Sequence, residues 1–237
     1  MSIIYISGGL LGDFFHQLSI INEIYIKTNK KGVLYISNIG DTFRNGLEKT
    51  YNDLYKIIIL QEYIEDFKIY NNQKYDINLS IWRNYLNSRH NLYNVIKNVY
   101  NIEWGKHKWL YNIPKIKEWE NKTIINTVQY RFPDKSFFEP LINLDLTNFV
   151  YVSIFKSEYE YFVNKTNIKI NYYSPKSLME LCIILNSCEK VCGSLSAPLS
   201  IATSLHKECV YGIDNSLDFL YLFKNLDNVS CISYNFN

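Results

Sequence analysis

The 237-residue sequence lacks a long apolar run, a strong net charge and a signal peptide. No stretch approaches the ~20 apolar residues of a membrane-spanning helix, so no membrane span is expected. The formal net charge is only +2, and no basic run is interleaved with the 21 Tyr and 13 Phe, which argues against nucleic-acid binding. The first residues carry no basic segment followed by a long apolar one, so we expect a cytoplasmic protein.

Patterns for metal binding and for disulfides are also missing. The five cysteines form no Cys-x-x-Cys pair, none has a histidine at zinc-finger spacing, and the four histidines do not cluster, so no metal site is expected. All five lie in the last quarter of the chain, and we expect reduced thiols. They are Cys182, Cys188, Cys192, Cys209 and Cys231.

The chain opens with an alternation of strand and helix. A β-rich run at Ile3–Ser7 stops at Gly8-Gly9, apolar residues then recur at helical spacing over Asp13–Thr28, and a second strand follows at Val33–Ile36. This order predicts parallel strands in a doubly wound α/β sheet. Further predicted elements are strands at Ile57–Leu60 and Ile77–Ile81 and a helix at Asn91–Tyr100.

A second α/β series follows in the C-terminal half. Its predicted strands are Thr123–Val128, Phe149–Ile154, Ile168–Tyr172, Val191–Cys192 and Glu208–Tyr211. Its predicted helices are one from a capping box at Ser157 to about Thr166, one opening near Ser177, Pro198–Leu205 and Leu217–Leu226. We therefore expect two Rossmann-like lobes with parallel sheets, formed by residues 1–115 and residues 116–237.

The first candidate binding loop is Gly8–Asp13, which joins a predicted strand to a helix. Ligands of open α/β sheets bind beyond the carboxyl ends of the strands, glycines let a ligand approach the backbone, and a helix N-terminus favours an anion. The loop has no G-x-G-x-x-G spacing and no Gly-Lys-Ser/Thr, and Ser37-Asn38 follows the second strand in place of a carboxylate. These departures argue against a dinucleotide site and a P-loop. The alternative is a tight turn in which Asp13 is the helix N-cap.

The second candidate loop is Gly193–Pro198, which again joins a strand to a helix. Its small residues and hydroxyls suit a phosphate or a sugar hydroxyl at the start of a helix. We expect Ser194 and Ser196 to contribute backbone N–H groups more than hydroxyls. The loop is not a nucleophile elbow, because Leu195 stands where that motif needs serine. The alternative is ordinary helix capping by Ser196 and Pro198.

Both loops resemble segments of a known enzyme family. The run Gly12-Asp-Phe-Phe-His-Gln-Leu18 is similar to the G-D-x-x-H-x-L segment of heptosyltransferase-like enzymes, glycosyltransferase family nine. The run from Gly193 to Leu205 is similar to their G-P-D-T-G-P-x-H-x-A-A-x-L segment. Between the two, Tyr172-Tyr-Ser-Pro175 and Leu178-Met-Glu-Leu181 resemble a divergent branch, so the resemblance covers the start of the chain and most of residues 123–211.

The resemblance implies a GT-B enzyme with its active site between two Rossmann-like lobes. A nucleotide-sugar donor would bind the C-terminal lobe and a glycan or other hydroxyl acceptor the N-terminal lobe. Neither a cofactor nor a metal ion is implied, since basic side chains and helix dipoles hold the diphosphate. Asp13 matches the general base, and Arg131, or alternatively Lys135, falls near a residue that contacts the donor phosphates. Glu158 falls near an acidic residue that binds the nucleoside, with helix capping as its alternative. The other residues expected to bind substrate are Gly9, Gly12, His16, Gln17, Gly193, Ser194, Ser196, Ala197 and Pro198.

Two positions depart from the family pattern. Leu195 stands in place of the Asp of D-T-G, and Ser200 stands in place of a His, so the resemblance does not imply heptose as the sugar. The predicted function is a metal-independent hexosyl- or pentosyltransferase, with the oligomeric state left open. The alternative is a non-catalytic GT-B-like module that binds a nucleotide or a glycan. A nicotinamide-dependent oxidoreductase is disfavoured by the glycine spacing.

Overall fold

The computed structural model describes residues 2–85, 92–143, 145–212 and 228–232, which form two sheets with flanking helices. The first sheet contains β1 (Ile3–Ser7), β2 (Gly32–Ile36), β3 (Ile64–Ile69) and β4 (Ile77–Asn78). The second contains β5 (Thr123–Asn126), β6 (Phe149–Val152), β7 (Asn171–Tyr173), β8 (Lys190–Gly193), β9 (Glu208–Gly212) and β10 (Val229–Ile232). The α-helices of the described ranges are α1 (Leu11–Thr28), α2 (Leu47–Ile58), α3 (Leu92–Tyr100), α4 (Lys156–Thr166), α5 (Leu178–Ser187) and α6 (Ala197–Ser204).

Both sheets are parallel and doubly wound. The strand order is β3-β2-β1-β4 in the first sheet and β10-β9-β8-β5-β6-β7 in the second, and every pairing is parallel. In each sheet the chain first winds to one side and then returns to the other side of the starting strand, between β1 and β4 and between β5 and β8. The predicted α/β class with two parallel sheets is confirmed. The boundary at residues 115 and 116 stays a prediction.

Helix α1 is buried along most of its length because it packs on two sides. Phe14, Leu18 and Ile21 are buried in the core, as their helical spacing predicts. Another side of the helix packs against α6 of the second sheet, and several polar residues of α1 are buried as well. Asn29 ends the helix in the left-handed conformation, with φ 55°.

The two sheets share one apolar core, and the segment between them is fastened to both. Trp104 and Trp109 are fully buried, and their indole N–H groups donate to the α1 carbonyl oxygens of His16 and Phe15, at 3.2 and 2.8 Å. The main-chain N–H of Trp109 donates to the Ser204 carbonyl at the end of α6, at 3.2 Å. The connecting segment therefore fixes α1 and α6 relative to each other.

Some predicted elements differ from the structure. The apolar run Ile57–Leu60 is not a strand, because Ile57 and Ile58 are the buried face of the last turn of the amphipathic helix α2. The helix predicted from a capping box at Ser157 begins at Lys156 with Phe155 at the N-cap position, so the capping role predicted for Ser157 is wrong. The helix start predicted near Ser177 is confirmed, since Ser177 is the N-cap and its hydroxyl accepts from the Glu180 N–H at 3.1 Å. The helix predicted at Leu217–Leu226 lies outside the described residues.

None of the helices in the described ranges combines the length and the apolar character needed to cross a membrane.

Candidate functional site

A cleft of about 780 Å³ lies between the two sheets, at the carboxyl ends of their strands. Its walls come from the connections that follow β1, β2 and β4 in the first sheet and β5, β6, β7 and β8 in the second. Both topological switch points therefore open onto the same cavity. In doubly wound sheets this is the place where ligands bind.

The first predicted loop enters the cleft at the start of α1. Leu10, Gly12 and Asp13 line the cavity. Gln17 does not line it: the side chain is fully buried beneath the loop, where its amide N–H donates to the Gly8 carbonyl at 3.0 Å and its oxygen accepts from the Ser7 hydroxyl at 2.5 Å. The structure therefore places Gln17 in support of the loop.

Asp13 lies in the first turn of α1 with its carboxylate in the cleft. The N-cap position is Leu10, so the alternative that Asp13 caps the helix does not describe the structure. Its Oδ2 instead pairs with the Nη2 of Arg83, with the two side chains 30% and 21% exposed. The other carboxylate oxygen accepts no hydrogen bond from any residue in the described ranges, and it remains available to a ligand.

Arg83 is a cleft residue that has no signal in the local sequence. It follows β4, its guanidinium carbon lies 4.8 Å from the centre of the Trp82 ring, and it rests on Gly9. Gly9 has φ +105°, a backbone conformation that favours glycine, and a Cβ there would lie 2.1 Å from Nη2 of Arg83 and would displace the guanidinium. Gly9 therefore acts by seating Arg83 and is not itself part of the cleft lining. The Nη1 of Arg83 is buried and has no hydrogen-bond partner within the described structure.

His16 reaches the cleft from the second turn of α1 and joins the two sheets. Its Nε2 lies 2.9 Å from the Ser200 hydroxyl on α6. Burial lowers its pKa to about 4, against an opposing effect of the Asp13 charge, so the imidazole is neutral at pH 7. Gly12 packs at the same joint, where an added Cβ would lie 3.0 Å from the Ser200 hydroxyl oxygen.

The second predicted loop is only partly exposed to the cleft. Gly193 is packed on β5, where an added Cβ would lie 1.7 Å from the Asn126 carbonyl oxygen. Ser194 is buried: its N–H donates to that carbonyl at 3.1 Å, and its hydroxyl accepts from the Val128 N–H at 2.9 Å. The expectation that the Ser194 N–H faces a ligand is therefore wrong, because β5 uses this group to hold the loop.

The start of α6 does face the cleft. Ser196, Ala197 and Pro198 line the cavity. The Ser196 hydroxyl donates to Oδ1 of Asn126 at 2.8 Å and does not cap the helix. In the described part of the chain no acceptor is bonded to the main-chain N–H groups of Ser196 and Ala197. These N–H groups, with the helix dipole behind them, form a position suited to an anion.

Of three further residues predicted to bind the donor, Arg131 and Glu158 line the cleft and Lys135 does not. Arg131 lines the cleft, and its Nη1 donates to the Leu195 carbonyl at 3.3 Å. Glu158 also lines it, and one of its oxygens accepts from the Ser153 hydroxyl at 2.6 Å. Burial raises the pKa of Glu158, against opposing effects of Ser153 and of the Arg44 charge. Lys135 is exposed and lies outside the cleft lining.

Positive charge predominates among the cleft residues. Among the described residues that line the cleft, five side chains are cationic and three are carboxylates. The cations are Arg44, Lys49, Arg83, Arg131 and Lys176, and the carboxylates are Asp13, Asp53 and Glu158. This excess of two positive charges favours an anionic ligand. Within the described residues no group of three or more His, Cys, Asp or Glu side chains could hold a metal ion. The independence from metal stays a prediction.

The comparisons with known proteins relate this fold to solved glycosyltransferases. No protein-family model and no curated protein matches the sequence. A family 9 glycosyl transferase from Veillonella parvula is 11% identical over 100% of this chain and 88% of its own, with a TM-score of 0.60. The E. coli heptosyltransferase WaaC with ADP is 10% identical over 99% and 94%, with a TM-score of 0.61. The E. coli ADP-heptose heptosyltransferase II is 11% identical over 98% and 90%, with a TM-score of 0.52. The chain thus has the fold of these enzymes, and the resemblance indicated by the motifs is confirmed at the level of the fold.

Proposed function

We propose that the protein transfers a sugar from a nucleotide-sugar donor to a hydroxyl group of a glycan or another acceptor, without a metal ion. The observation that carries the proposal is that one cleft contains both the Asp13 carboxylate and the N-terminus of α6. The glycosyltransferase fold supports the proposal, and so does the ADP present in one of the similar structures.

In this proposal the nucleotide-sugar donor binds on the side of the cleft that is formed by the second sheet. The free N–H groups at the start of α6 and the guanidinium of Arg131 would hold the diphosphate, since both favour phosphate oxygens. Glu158 keeps one carboxylate oxygen beyond its Ser153 bond and would accept hydrogen bonds from the nucleoside. Positive charge in this region would also stabilise the diphosphate as it leaves.

Asp13 is the proposed general base. The free carboxylate oxygen of Asp13 would take the proton from the acceptor hydroxyl while the oxygen of that hydroxyl forms a bond to C1 of the sugar. The bond between C1 and the diphosphate oxygen breaks, and its electron pair leaves with the nucleoside diphosphate. Arg83 would hold the other carboxylate oxygen and so fix the direction of the free one.

A donor-hydrolysis and transfer assay over a panel of nucleotide sugars, with and without EDTA, tests this function. We expect at least one donor to be turned over at a rate that EDTA does not change. Strict dependence on Mg²⁺ or Mn²⁺ would refute the metal-independent mechanism. Binding of a donor with no turnover would favour the alternative, a non-catalytic binding module. Arg131→Gln should weaken donor binding and Lys135→Gln should not, because only Arg131 lines the cleft.

A further inference from the structure

We infer that Arg44, which belongs to the first sheet, reaches across the cleft and binds the diphosphate of the donor. The inference rests on the proposed function and adds to it a contact that the second sheet alone does not supply. Arg44 lies in the connection between β2 and α2, and it lines the cleft. The sequence around it carries no phosphate-binding motif.

The geometry places Arg44 beside residues of the opposite sheet. Its guanidinium carbon lies 5.3 Å from the centre of the Tyr130 ring, which belongs to the segment after β5. The guanidinium carbon of Arg131 lies at the same distance from that ring centre. The two guanidinium carbons are therefore separated by no more than twice that distance, and both side chains line the same cleft.

The charged groups around Arg44 favour the binding of an anion. No carboxylate of the described residues lies within 4 Å of its guanidinium. Glu158 is near enough for the Arg44 charge to favour its ionised form, but that single carboxylate already accepts from Ser153. Within the described residues, therefore, no ion pair neutralises the Arg44 charge, and a phosphate group would do so.

The position of Arg44 relative to α6 indicates that its ligand is the diphosphate of the donor and not the acceptor. Arg131 donates to the Leu195 carbonyl, immediately before the free N–H groups of α6. Because Arg44 and Arg131 both lie against the Tyr130 ring, the two arginines and the helix N-terminus belong to the same part of the cleft. The planar guanidinium matches a phosphate in a way that a lysine ammonium does not.

Calorimetry of Arg44→Gln tests the inference, with ADP, UDP, GDP, CDP and TDP as ligands for the wild-type protein. The tightest of the five and its parent nucleoside are then titrated into the variants. We expect Arg44→Gln to weaken the diphosphate about 10- to 100-fold, as for a lost charge-assisted hydrogen bond, and Arg44→Lys to recover only part of the loss. Lys135→Gln, which removes one exposed charge outside the cleft, should bind as the wild type does.

Binding of the uncharged nucleoside distinguishes the outcomes. If Arg44 contacts phosphate, nucleoside affinity stays within about twofold of the wild type in Arg44→Gln. Equal weakening of nucleoside and diphosphate, or no weakening of either, would overturn the inference while leaving the proposed function standing. If none of the five diphosphates binds the wild-type protein, the proposed function fails and the inference fails with it.

Discussion

Replacement of Asp13 by Asn separates a catalytic carboxylate from one that only anchors Arg83. The amide keeps an oxygen that can accept from Arg83 and removes the basicity of the side chain. If Asp13 is the general base, the transfer rate should fall roughly 10²- to 10⁴-fold. If it only positions Arg83, most of the rate should remain.

The expected change in stability is small by comparison. The Asp13–Arg83 pair is partly buried, with side chains 30% and 21% exposed, and the variant replaces an ion pair by a hydrogen bond from the Arg83 cation to a neutral amide. We therefore expect a loss of about 1 kcal/mol in the free energy of unfolding, measured by urea titration. No helix cap is lost in the variant, because the N-cap residue is Leu10.

Arg83→Gln is the matched variant, because it removes the other member of the pair and leaves the carboxylate. Initial rates of transfer are measured for both single variants and for the double variant. A general base predicts that Asp13→Asn is much slower than Arg83→Gln. The assignment of Asp13 as the base is refuted if Asp13→Asn retains more than about a tenth of the wild-type rate, since a general base contributes at least about 10²-fold.

Two further predictions follow from the glycine loop and from the joint between the sheets. Gly9→Ala and Gly46→Ala should each lower the free energy of unfolding by about 1–3 kcal/mol, because both glycines have positive φ. Only Gly9→Ala should also slow transfer, since its Cβ would meet Arg83, whereas nothing lies within 4 Å of a Cβ at Gly46. Equal activity of the two variants would contradict this prediction. Because His16 is buried and neutral, we expect the free energy of unfolding to fall by up to about 3 kcal/mol as the pH drops from 6.5 towards 4. In this pH range the unfolded chain binds a proton at His16 that the folded chain does not bind. Urea unfolding at several pH values should show this slope in the wild type and not in His16→Gln, and identical slopes would rule out His16 as its source.

The elements that could be predicted are those with a strong local signal. The first βαβ unit was predictable because a glycine pair separates a β-rich run from a long helical period. The run Ile57–Leu60 misled because four apolar residues fit a strand and a helix end equally well, and the buried Leu54 one turn earlier shows that the period is helical. Strand β3 was missed because its buried residues Ile64 and Phe67 are three positions apart instead of two, and three of its six residues are charged.

Some residues of the site could likewise be predicted from the local sequence, whereas others depend on the topology of the fold. Asp13 and Pro198 were predictable as cleft residues because each opens a helix after a strand, and chain direction alone brings such positions to one end of a sheet. Arg83 and Arg44 carry no local signal. Arg83 lies beside Asp13 because β4 pairs with β1, and Arg44 lies beside Tyr130 because the two sheets face each other. Neither relation can be read from spacing along the chain.

The contact between α1 and α6 links the fold to the proposed chemistry. The first turn of α1 carries Asp13, the first turn of α6 carries the free N–H groups, and the two helices pack directly on each other. Gly12 permits that approach, since a Cβ there would lie 3.0 Å from the Ser200 hydroxyl oxygen and 3.7 Å from the Ala197 Cα. The role expected for Gly12, contact with a substrate, is thus accompanied by a structural one. Because core packing fixes these helices, the separation between the proposed base and the proposed diphosphate position is set by the same side chains that hold the two sheets together.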